Sequence, residues 1–308
     1  MRTFIENESL MKSAVFSPYQ LRGLTLENRL VISPMCQYSA EEGCASSWHT
    51  IHVGSLLNSG AGLFILEATA VERRGRITHQ CLGLWSDENV DALGNVLNAV
   101  RRYSATPVGV QLNHAGRKAA AHRPFDGKGY LKPEEGAWPV IGPSAIPFSE
   151  GWQAPQAMTL QDMNAVVDAY VAAARRAHAI GIDLIELHAA HGYLLSAFLS
   201  PLANQRQDDY GGSLENRMRF PLEVFDAVRR VWPEEKPLGV RCNGTDWHPD
   251  GIQVEDAVAF AAALRSHGCD YIDVSTGGNC FAKVPVGPGY QVPFADRIRR
   301  ETGLCTLA

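Results

Sequence analysis

The stretch ARRAHAIGIDLIELHAAHGY, residues 174–193, holds the end of one predicted element and the whole of the next. Its first part closes a stretch with helical spacing that Thr159 caps and Gly181 ends. The apolar run 182–190 follows directly, and a short apolar run bounded by glycine is typical of a buried strand. Because Gly192 then permits a sharp turn, the pattern predicts a helix, a strand and a turn in succession.

The same alternation of short apolar runs and longer amphipathic stretches continues along most of the chain. Strands separated by helices imply parallel pairing, and six such units in succession favour a (β/α)8 barrel, a TIM barrel of the α/β class, over an open sheet. A doubly wound sheet that binds a dinucleotide opens with GxGxxG, and the sequence does not contain that pattern. The predicted strands are 30–38, 63–71, 106–112, 182–190, 237–243 and 271–278, and the predicted helices are 49–60, 88–103, 158–181, 214–232, 254–267 and 293–302.

Two stretches depart from this alternation. Residues 117–157 contain proline, glycine and large aromatics without a clear period, and so long a connection in a compact domain is usually a lid or binding loop. Residues 305–308 resemble the opening of a seventh strand, so we expect a barrel truncated in strand 7, with strand 8 and the phosphate-binding loops absent from this chain. The predicted domains are an N-terminal extension over 1–14 and one incomplete barrel over 15–308, with the lid as an insertion.

Composition narrows the classes of partner. The 308 residues carry a formal charge of −5 and no dense run of lysine or arginine, which argues against nucleic-acid binding. The 7 cysteines are scattered without a CxxC pair, which argues against a disulfide framework or a structural zinc site and for a reducing compartment. The sequence shows neither an apolar signal region near its start nor a membrane-spanning run, so we expect a cytoplasmic protein without a membrane partner.

Polar side chains follow the predicted strand ends. Enzymes with this fold build their sites at the C-terminal ends of the barrel strands. Here those ends carry hydrogen-bonding groups and not pairs of carboxylates, which suits a large planar polar ligand better than hydrolysis. The residues are Pro34 to Tyr38, Glu67 to Thr69, Gln111 to His114, His188 to Tyr193, and Arg241.

The HAAHGY stretch, residues 188–193, allows three interpretations. A metal site needs a third ligand and usually a helical HExxH spacing, and the stretch has neither. Both histidines could instead be buried side chains satisfied by their neighbours. The interpretation that we favour is that His188 and His191 donate to one substrate oxygen while Tyr193 supplies a proton. It requires that the strand end near His188 and that the chain turn at Gly192.

Five stretches, in order, resemble one known family over nearly the whole chain. They are LENRLVISPMCQYSA (26–40), LEATAVERRGRIT (66–78), GVQLNHAGRKA (109–119), ELHAAHGYLLSAFLSPLANQRQDDYGGSLENRMRF (186–220) and GYQVPFADRIRR (289–300). The family is the Old Yellow Enzymes, FMN-dependent ene-reductases, and the similarity is greatest to the bacterial branch of xenobiotic reductases and NADPH dehydrogenases. The resemblance implies a barrel that binds FMN non-covalently, with NADPH or NADH as reductant.

The resemblance also implies roles for individual residues. Cys36 would lie near the reactive edge of the flavin and tune its potential, and Arg241 would stabilise the negative charge of the reduced ring. Tyr193 would protonate the α carbon of the substrate, an activated alkene such as an α,β-unsaturated carbonyl compound or a nitro compound. The remaining cofactor-binding residues would be Ser33, Pro34, Met35, Ala68 and Gln111, and the substrate-binding residues Tyr38, His188 and His191. Members of this branch form dimers or tetramers, so the resemblance implies a homo-oligomer.

Structural interpretations remain open for the same residues. Cys36 alone is also typical of a small buried hydrophobe, Arg241 alone of an ion pair with a carboxylate such as Asp246, and Tyr38 of a cap on the barrel. Asn113 and His114 are left outside the predicted site. For the chain as a whole, the alternative hypothesis is a truncated, cofactor-free remnant or interaction subunit of the same fold, and a metal-dependent hydrolase comes after it.

Overall fold

The architecture is that of a parallel sheet flanked by helices. A computed structural model describes residues 13–127 and 129–308, so most of the predicted extension over 1–14 lies outside the described residues. The strands are β1 (Tyr19–Leu21), β2 (Leu24–Leu26), β3 (Val31–Ile32), β4 (Leu63–Ala70), β5 (Val108–Asn113), β6 (Ile141–Gly142), β7 (Gln156–Ala157), β8 (Leu184–Ala189), β9 (Leu238–Asn243), β10 (Tyr271–Ser275) and β11 (Cys305–Leu307). The helices are α1 (Ser47–Leu57), α2 (Asp87–Arg101), α3 (Leu160–Ala179), α4 (Leu194–Leu199), α5 (Leu214–Val231), α6 (Val254–Ser266) and α7 (Val292–Thr302).

The main sheet has seven parallel strands in the order β3-β4-β5-β8-β9-β10-β11. This order follows the chain, and at least one helix joins each strand to the next. Because the order never reverses, the sheet has the topology of a (β/α) barrel and lacks the switch point of a doubly wound sheet. The predicted seventh strand forms as β11, which pairs in parallel with β10.

The central strands are buried along their whole length, as expected for parallel strands covered on both faces. Helices α3 and α5 pack apolar faces onto them, with Val166, Tyr170 and Phe220 fully buried. Thr159 caps α3 as predicted, its side chain accepting a hydrogen bond from the Asp162 N–H group at 3.1 Å. Within the described residues, the helices are too short or too polar to span a membrane.

Outside the predicted lid, a hairpin and a short helix have no counterpart in the predicted pattern. The antiparallel hairpin β1–β2 packs Leu21, Leu24 and Leu26 against the inward-facing residues Leu184 and Tyr271. Its strands have three residues each, too few for a periodic signal. Helix α4 was also missed because its six residues are all buried, so it lacks a polar face.

The predicted strand 30–38 is wrong from residue 33 onward, because only Val31–Ile32 pair with β4. Pro34 has no N–H group to donate to a sheet, and the Gln37 N–H group donates to the Glu67 carboxylate at 2.9 Å. Residues 33–40 therefore cross over the end of β4 as an irregular segment. Within the predicted lid, 117–157, the parallel strands β6 and β7 form a second small sheet.

Candidate active site

The turn after β8 has the conformation that the predicted site requires. Strand β8 ends at Ala189, and His191 and Gly192 both adopt left-handed backbone conformations, with φ of +61° and +73°. The His191 N–H group donates to Asn243 Oδ1 at 3.1 Å, which ties the turn to the end of β9. The predictions that the strand ends beside His188 and that the chain turns at Gly192 are confirmed.

This turn brings three aromatic side chains together. The His188 ring lies 5.1 Å from the His191 ring and 5.0 Å from the Tyr193 ring, centroid to centroid, and both pairs meet edge to face. Tyr193 precedes the first turn of α4, and its hydroxyl has no hydrogen-bond partner among the described residues. The phenol is therefore available to a bound molecule.

Both imidazoles are held neutral. Burial lowers the pKa of His188 well below its ordinary value, and the charges of His191, Arg241 and Lys118 act in the same direction. Burial, Arg241 and Lys118 together lower the pKa of His191 to about 3. A neutral imidazole has one N–H donor and one acceptor nitrogen, so each ring can donate to an oxygen atom.

Neighbouring groups indicate where each proton lies. His188 Nδ1 accepts from the Ala190 N–H group at 3.3 Å, which leaves the proton on Nε2. His191 Nε2 lies 2.6 Å from Ser275 Oγ, and Gln291 Nε2 donates to that same oxygen at 3.0 Å. If the Ser275 hydroxyl donates to His191 Nε2, His191 carries its proton on Nδ1.

A second group of polar residues fills the barrel interior. Arg241 Nε lies 3.1 Å from Asp273 Oδ2, and Gln111 Nε2 donates to Glu186 Oε1 at 2.7 Å. The interpretation that Arg241 pairs with a carboxylate is confirmed, but the partner is Asp273 and not Asp246, because β9 and β10 pair in a register that sets Asp273 opposite Arg241.

Asp246 is instead saturated by other partners. Its Oδ2 atom accepts from the Ser200 hydroxyl at 2.6 Å and the Ile252 N–H group at 2.9 Å. Its Oδ1 atom accepts from Asn243 and Asn279, each at 2.9 Å. A fully hydrogen-bonded buried carboxylate stabilises the loops that it joins, and here these include the residue that holds His191.

We expect the barrel interior to make stability depend on pH. Burial and the neighbouring Asp273 raise the pKa of Glu186 from an ordinary 4.5 to about 8. Between these two pH values the folded chain binds more protons than the unfolded chain, so the free energy of unfolding should fall as pH rises. Glu186→Gln removes the titrating group. Between pH 5.5 and pH 8, the free energy of unfolding of the variant should therefore fall by about 1–3 kcal/mol less than that of the wild type.

Urea denaturation of the cofactor-free protein at both pH values measures this difference. Glu27→Gln, at an exposed carboxylate, should keep the pH dependence of the wild type. If the free energy of unfolding falls by the same amount between the two pH values in Glu186→Gln and in the wild type, the pKa of Glu186 is not raised in the folded protein.

The irregular segment after β3 meets the histidine turn in one apolar cluster. Cys36, Tyr38 and Tyr193 all pack against this cluster, which includes Ala68. Burial raises the pKa of the Cys36 thiol well above its ordinary value, so the thiol stays neutral. A register shift between Leu66 and Ala68 places the small Ala68 side chain within the cluster. Four of the predicted site residues are thus brought together.

Ser33 lies apart from that cluster, beside the interior of the sheet. With Ile65 and Asp273 it lines a cavity of about 340 Å³ between β3 and β11. Pro34 and Met35 connect Ser33 to Cys36, and the Met35 side chain is exposed. The predicted cofactor-binding residues therefore extend from this cavity to the histidine turn.

The interior residues fit the polar edge of a flavin. Arg241 Nε is buried and, despite its closeness to Asp273, has no hydrogen bond of suitable geometry among the described residues. A buried donor without an acceptor costs about 1–3 kcal/mol, so the guanidinium group is suited to a ligand that brings an acceptor. A flavin offers such acceptors at its pyrimidine edge, and a fixed cation there favours the negative charge of the reduced ring.

A metal site has no comparable support. Within residues 13–127 and 129–308, no three His, Cys, Asp or Glu side chains are grouped so that they could hold a metal ion. His114, which was left outside the predicted site, is buried and pairs with Glu72 at 2.7 Å.

Several residues of the site were not predicted. Ser275, Gln291, Glu186 and Asp273 lie beside predicted residues only because the strands pair as they do. Lys118 was part of a family-like stretch, GVQLNHAGRKA, but its sequence context alone carried no signal of a role.

The chain is similar to one known family and to several known proteins. Residues 14–292 match the model of the NADH:flavin oxidoreductase / NADH oxidase family. The chain is 48% identical over 300 residues to an NADPH dehydrogenase of Geobacillus sp. (strain WCH70), covering 97% of this chain and 83% of the relative. It is 45% identical over 298 residues to an NADPH dehydrogenase of Listeria innocua, covering 96% of this chain and 83% of the relative.

Solved structures show the same fold. Morphinone reductase superposes with a TM-score of 0.77 at 27% identity, over 95% of this chain and 78% of the other. The Old Yellow Enzyme homologue from Zymomonas mobilis gives a TM-score of 0.77 at 23% identity, over 95% and 81%. The second of these likenesses is evidence of the fold alone.

Proposed function

This chain belongs to the NADH:flavin oxidoreductase / NADH oxidase family as an FMN-dependent NADPH dehydrogenase, and we propose that its oxidising substrate is an activated alkene. The substrate class is an α,β-unsaturated carbonyl compound or a nitro compound. The observation that supports this class most directly is the meeting of two neutral imidazoles and one phenol at the end of β8. Such a group can hold an oxygen atom and deliver one proton.

The cofactor would be held by the residues around the barrel interior. Gln111 and Arg241 would bind the polar edge of FMN, while Ser33 to Cys36 and Ala68 would line its ring. When bound, FMN supplies hydride transfer from NADPH or NADH to the β carbon of the alkene. Cys36, a neutral and partly buried thiol, would influence that chemistry without carrying charge.

The substrate would be oriented by the histidine turn. His188 and His191 each donate one N–H group to the carbonyl or nitro oxygen, and Tyr38 approaches that oxygen from the opposite side. Fixed donors stabilise the negative charge that develops on this oxygen during reduction. Tyr193 then gives its proton to the α carbon, and the apolar cluster around Tyr193 limits the access of water.

A two-step experiment tests the proposal. The purified chain is loaded with FMN, reduced under nitrogen with one equivalent of NADPH, and mixed with 2-cyclohexenone. We expect the flavin absorbance to disappear in the first step and to return in the second. The saturated ketone cyclohexanone, a matched control, should not restore it.

Two failures have different meanings. If NADPH reduces the flavin but neither enones nor nitroalkenes reoxidise it, the proposed substrate class is wrong. If the chain takes up no FMN, the alternative hypothesis of a cofactor-free remnant or interaction subunit gains support.

A further inference from the structure

One charged side chain beside the histidine turn has no place in the mechanism above. Lys118 ends the short helical turn Gly116–Lys118 that follows β5, and it is half-buried. Its Nζ atom donates to the carbonyl oxygens of His191 at 2.7 Å and Gly278 at 3.0 Å. These two bonds fix the ammonium group between the turn after β8 and the loop after β10.

The same ammonium group faces two aromatic rings. Lys118 Nζ lies 5.2 Å from the centroid of the Tyr193 ring and 4.5 Å from that of Phe148. A cation over a neutral aromatic ring is attracted only modestly. The attraction grows if the ring acquires negative charge, because a charge–charge interaction then adds to the interaction with the ring face.

The charge of Lys118 is not balanced by a carboxylate. Within the part of the chain that the structure describes, Lys118 forms no ion pair, and the charge that acts on it is that of the cation Arg117. Burial and Arg117 lower the pKa of Lys118 to about 7. Because a desolvated cation without a counter-ion is unfavourable, this arrangement suits a site where negative charge forms during the reaction.

We propose that Lys118 is a positioning residue that acts through Tyr193, its ammonium group stabilising the phenolate that forms when Tyr193 releases its proton. The inference rests on the proposed function, in which Tyr193 is the proton donor. In that step the Tyr193 O–H bond breaks, and the electron pair of the substrate enolate forms the new C–H bond. The negative charge moves to the phenol oxygen, and a proton from solvent later restores Tyr193.

The effect of Lys118 on the rate of proton transfer depends on how its interaction with Tyr193 differs between the ground state and the transition state. The cation interacts weakly with the neutral phenol before the step and more strongly with the partly ionised phenol in the transition state. Only an interaction that is stronger in the transition state accelerates the step. Flavin reduction by NADPH does not ionise Tyr193, so this step should not depend on the charge of Lys118.

A double-mutant cycle tests the inference on the full chain loaded with FMN. At pH 6, where Lys118 is mainly charged, stopped-flow absorbance measures reduction by NADPH and reoxidation by 2-cyclohexenone for the wild type, Lys118→Met, Tyr193→Phe and the double variant. Lys118→Met should slow reoxidation about tenfold, equivalent to about 1.4 kcal/mol of activation free energy, and should change reduction by less than about twofold. In the Tyr193→Phe background, Lys118→Met should change the rate of reoxidation by less than about twofold, because phenylalanine cannot form a phenolate. Lys118→Arg, which keeps the charge, should recover part of the lost rate.

Lys236 provides a matched control. Its Nζ atom lies 5.1 Å from the centroid of the Trp232 ring and donates to the Ile182 carbonyl at 2.5 Å, before the start of β8, whereas Lys118 donates to His191 after its end. Lys236→Met therefore loses the same two kinds of contact and should lower the melting temperature about as much as Lys118→Met does. It should leave reoxidation at the wild-type rate.

The outcomes separate this inference from the function on which it rests. If Tyr193→Phe reoxidises as fast as the wild type, the proton-donor assignment is wrong and the role of Lys118 is wrong with it. If Tyr193→Phe is slow but Lys118→Met slows reoxidation equally in both backgrounds, only the inference about Lys118 is overturned. An unchanged rate in Lys118→Met would overturn it as well.

Discussion

Tyr193→Phe is expected to slow reoxidation of the reduced flavin by an enone by about 10²–10⁴-fold, because a positioned general acid contributes that much to rate. Phenylalanine keeps the ring that packs 5.0 Å from His188, so the substrate oxygen can still bind. Reduction of the flavin by NADPH needs no proton from Tyr193 and should stay close to the wild-type rate. The loss should therefore be confined to one half of the cycle.

Stopped-flow measurement of the two half-reactions, each followed by flavin absorbance, checks this prediction. Tyr210→Phe is a suitable control, since Tyr210 donates a phenol hydrogen bond to Glu223 at 3.1 Å outside the histidine turn. That variant should leave both rates unchanged. A loss of equal size in both half-reactions of Tyr193→Phe would mean that Tyr193 is not the proton donor.

Gly192→Ala is expected to have the largest effect on stability. The Cβ atom of an alanine at this position would lie 2.1 Å from the Gly278 carbonyl oxygen, which belongs to backbone and cannot rotate away. The φ of +73° adds a conformational cost for any residue with a side chain. The close contact and the backbone conformation together should lower the free energy of unfolding by about 2–5 kcal/mol.

A second glycine separates the contact from the backbone cost. Gly212 has a φ of +79°, and the Cβ atom of an alanine at this position would have no heavy atom beyond its chain neighbours within 4 Å. Gly212→Ala should therefore lose only about 1–2 kcal/mol, the cost of the left-handed conformation alone. Urea denaturation measures both variants, and equal losses would show that the turn at Gly192 can move away from Gly278. Gly192→Ala should also lose enone reduction, since the displaced turn carries His191 and Tyr193.

The order of the elements could be predicted from the sequence. Apolar runs, helical spacing and residues such as Thr159 and Gly181 depend on backbone sterics and on contacts within a few residues. The turn at Gly192 could be predicted for the same reason, since glycine marks a backbone conformation that other residues rarely adopt. The predicted site residues on the strand ends follow from this order together with the family-like stretches.

The errors in the predicted fold arose where local signals are weak or a distant contact prevails. The strand after residue 30 ends early because the Gln37 N–H group binds Glu67, which lies 30 positions away on β4. Helix α4 is buried on every side, and the β1–β2 hairpin is too short, so neither has a period to detect.

The sequence by itself therefore determined the parallel βα order, the turn at Gly192 and the residues that follow the strands, because each depends on nearby residues. The tertiary structure alone decided which side chains share the site. Lys118 meets His191 across 73 positions of sequence, and His191 meets Ser275 across 84. Arg241 faces Asp273 only through the register of β9 and β10. Contacts of this kind come from strand pairing and helix packing over the whole chain, and no local pattern encodes them.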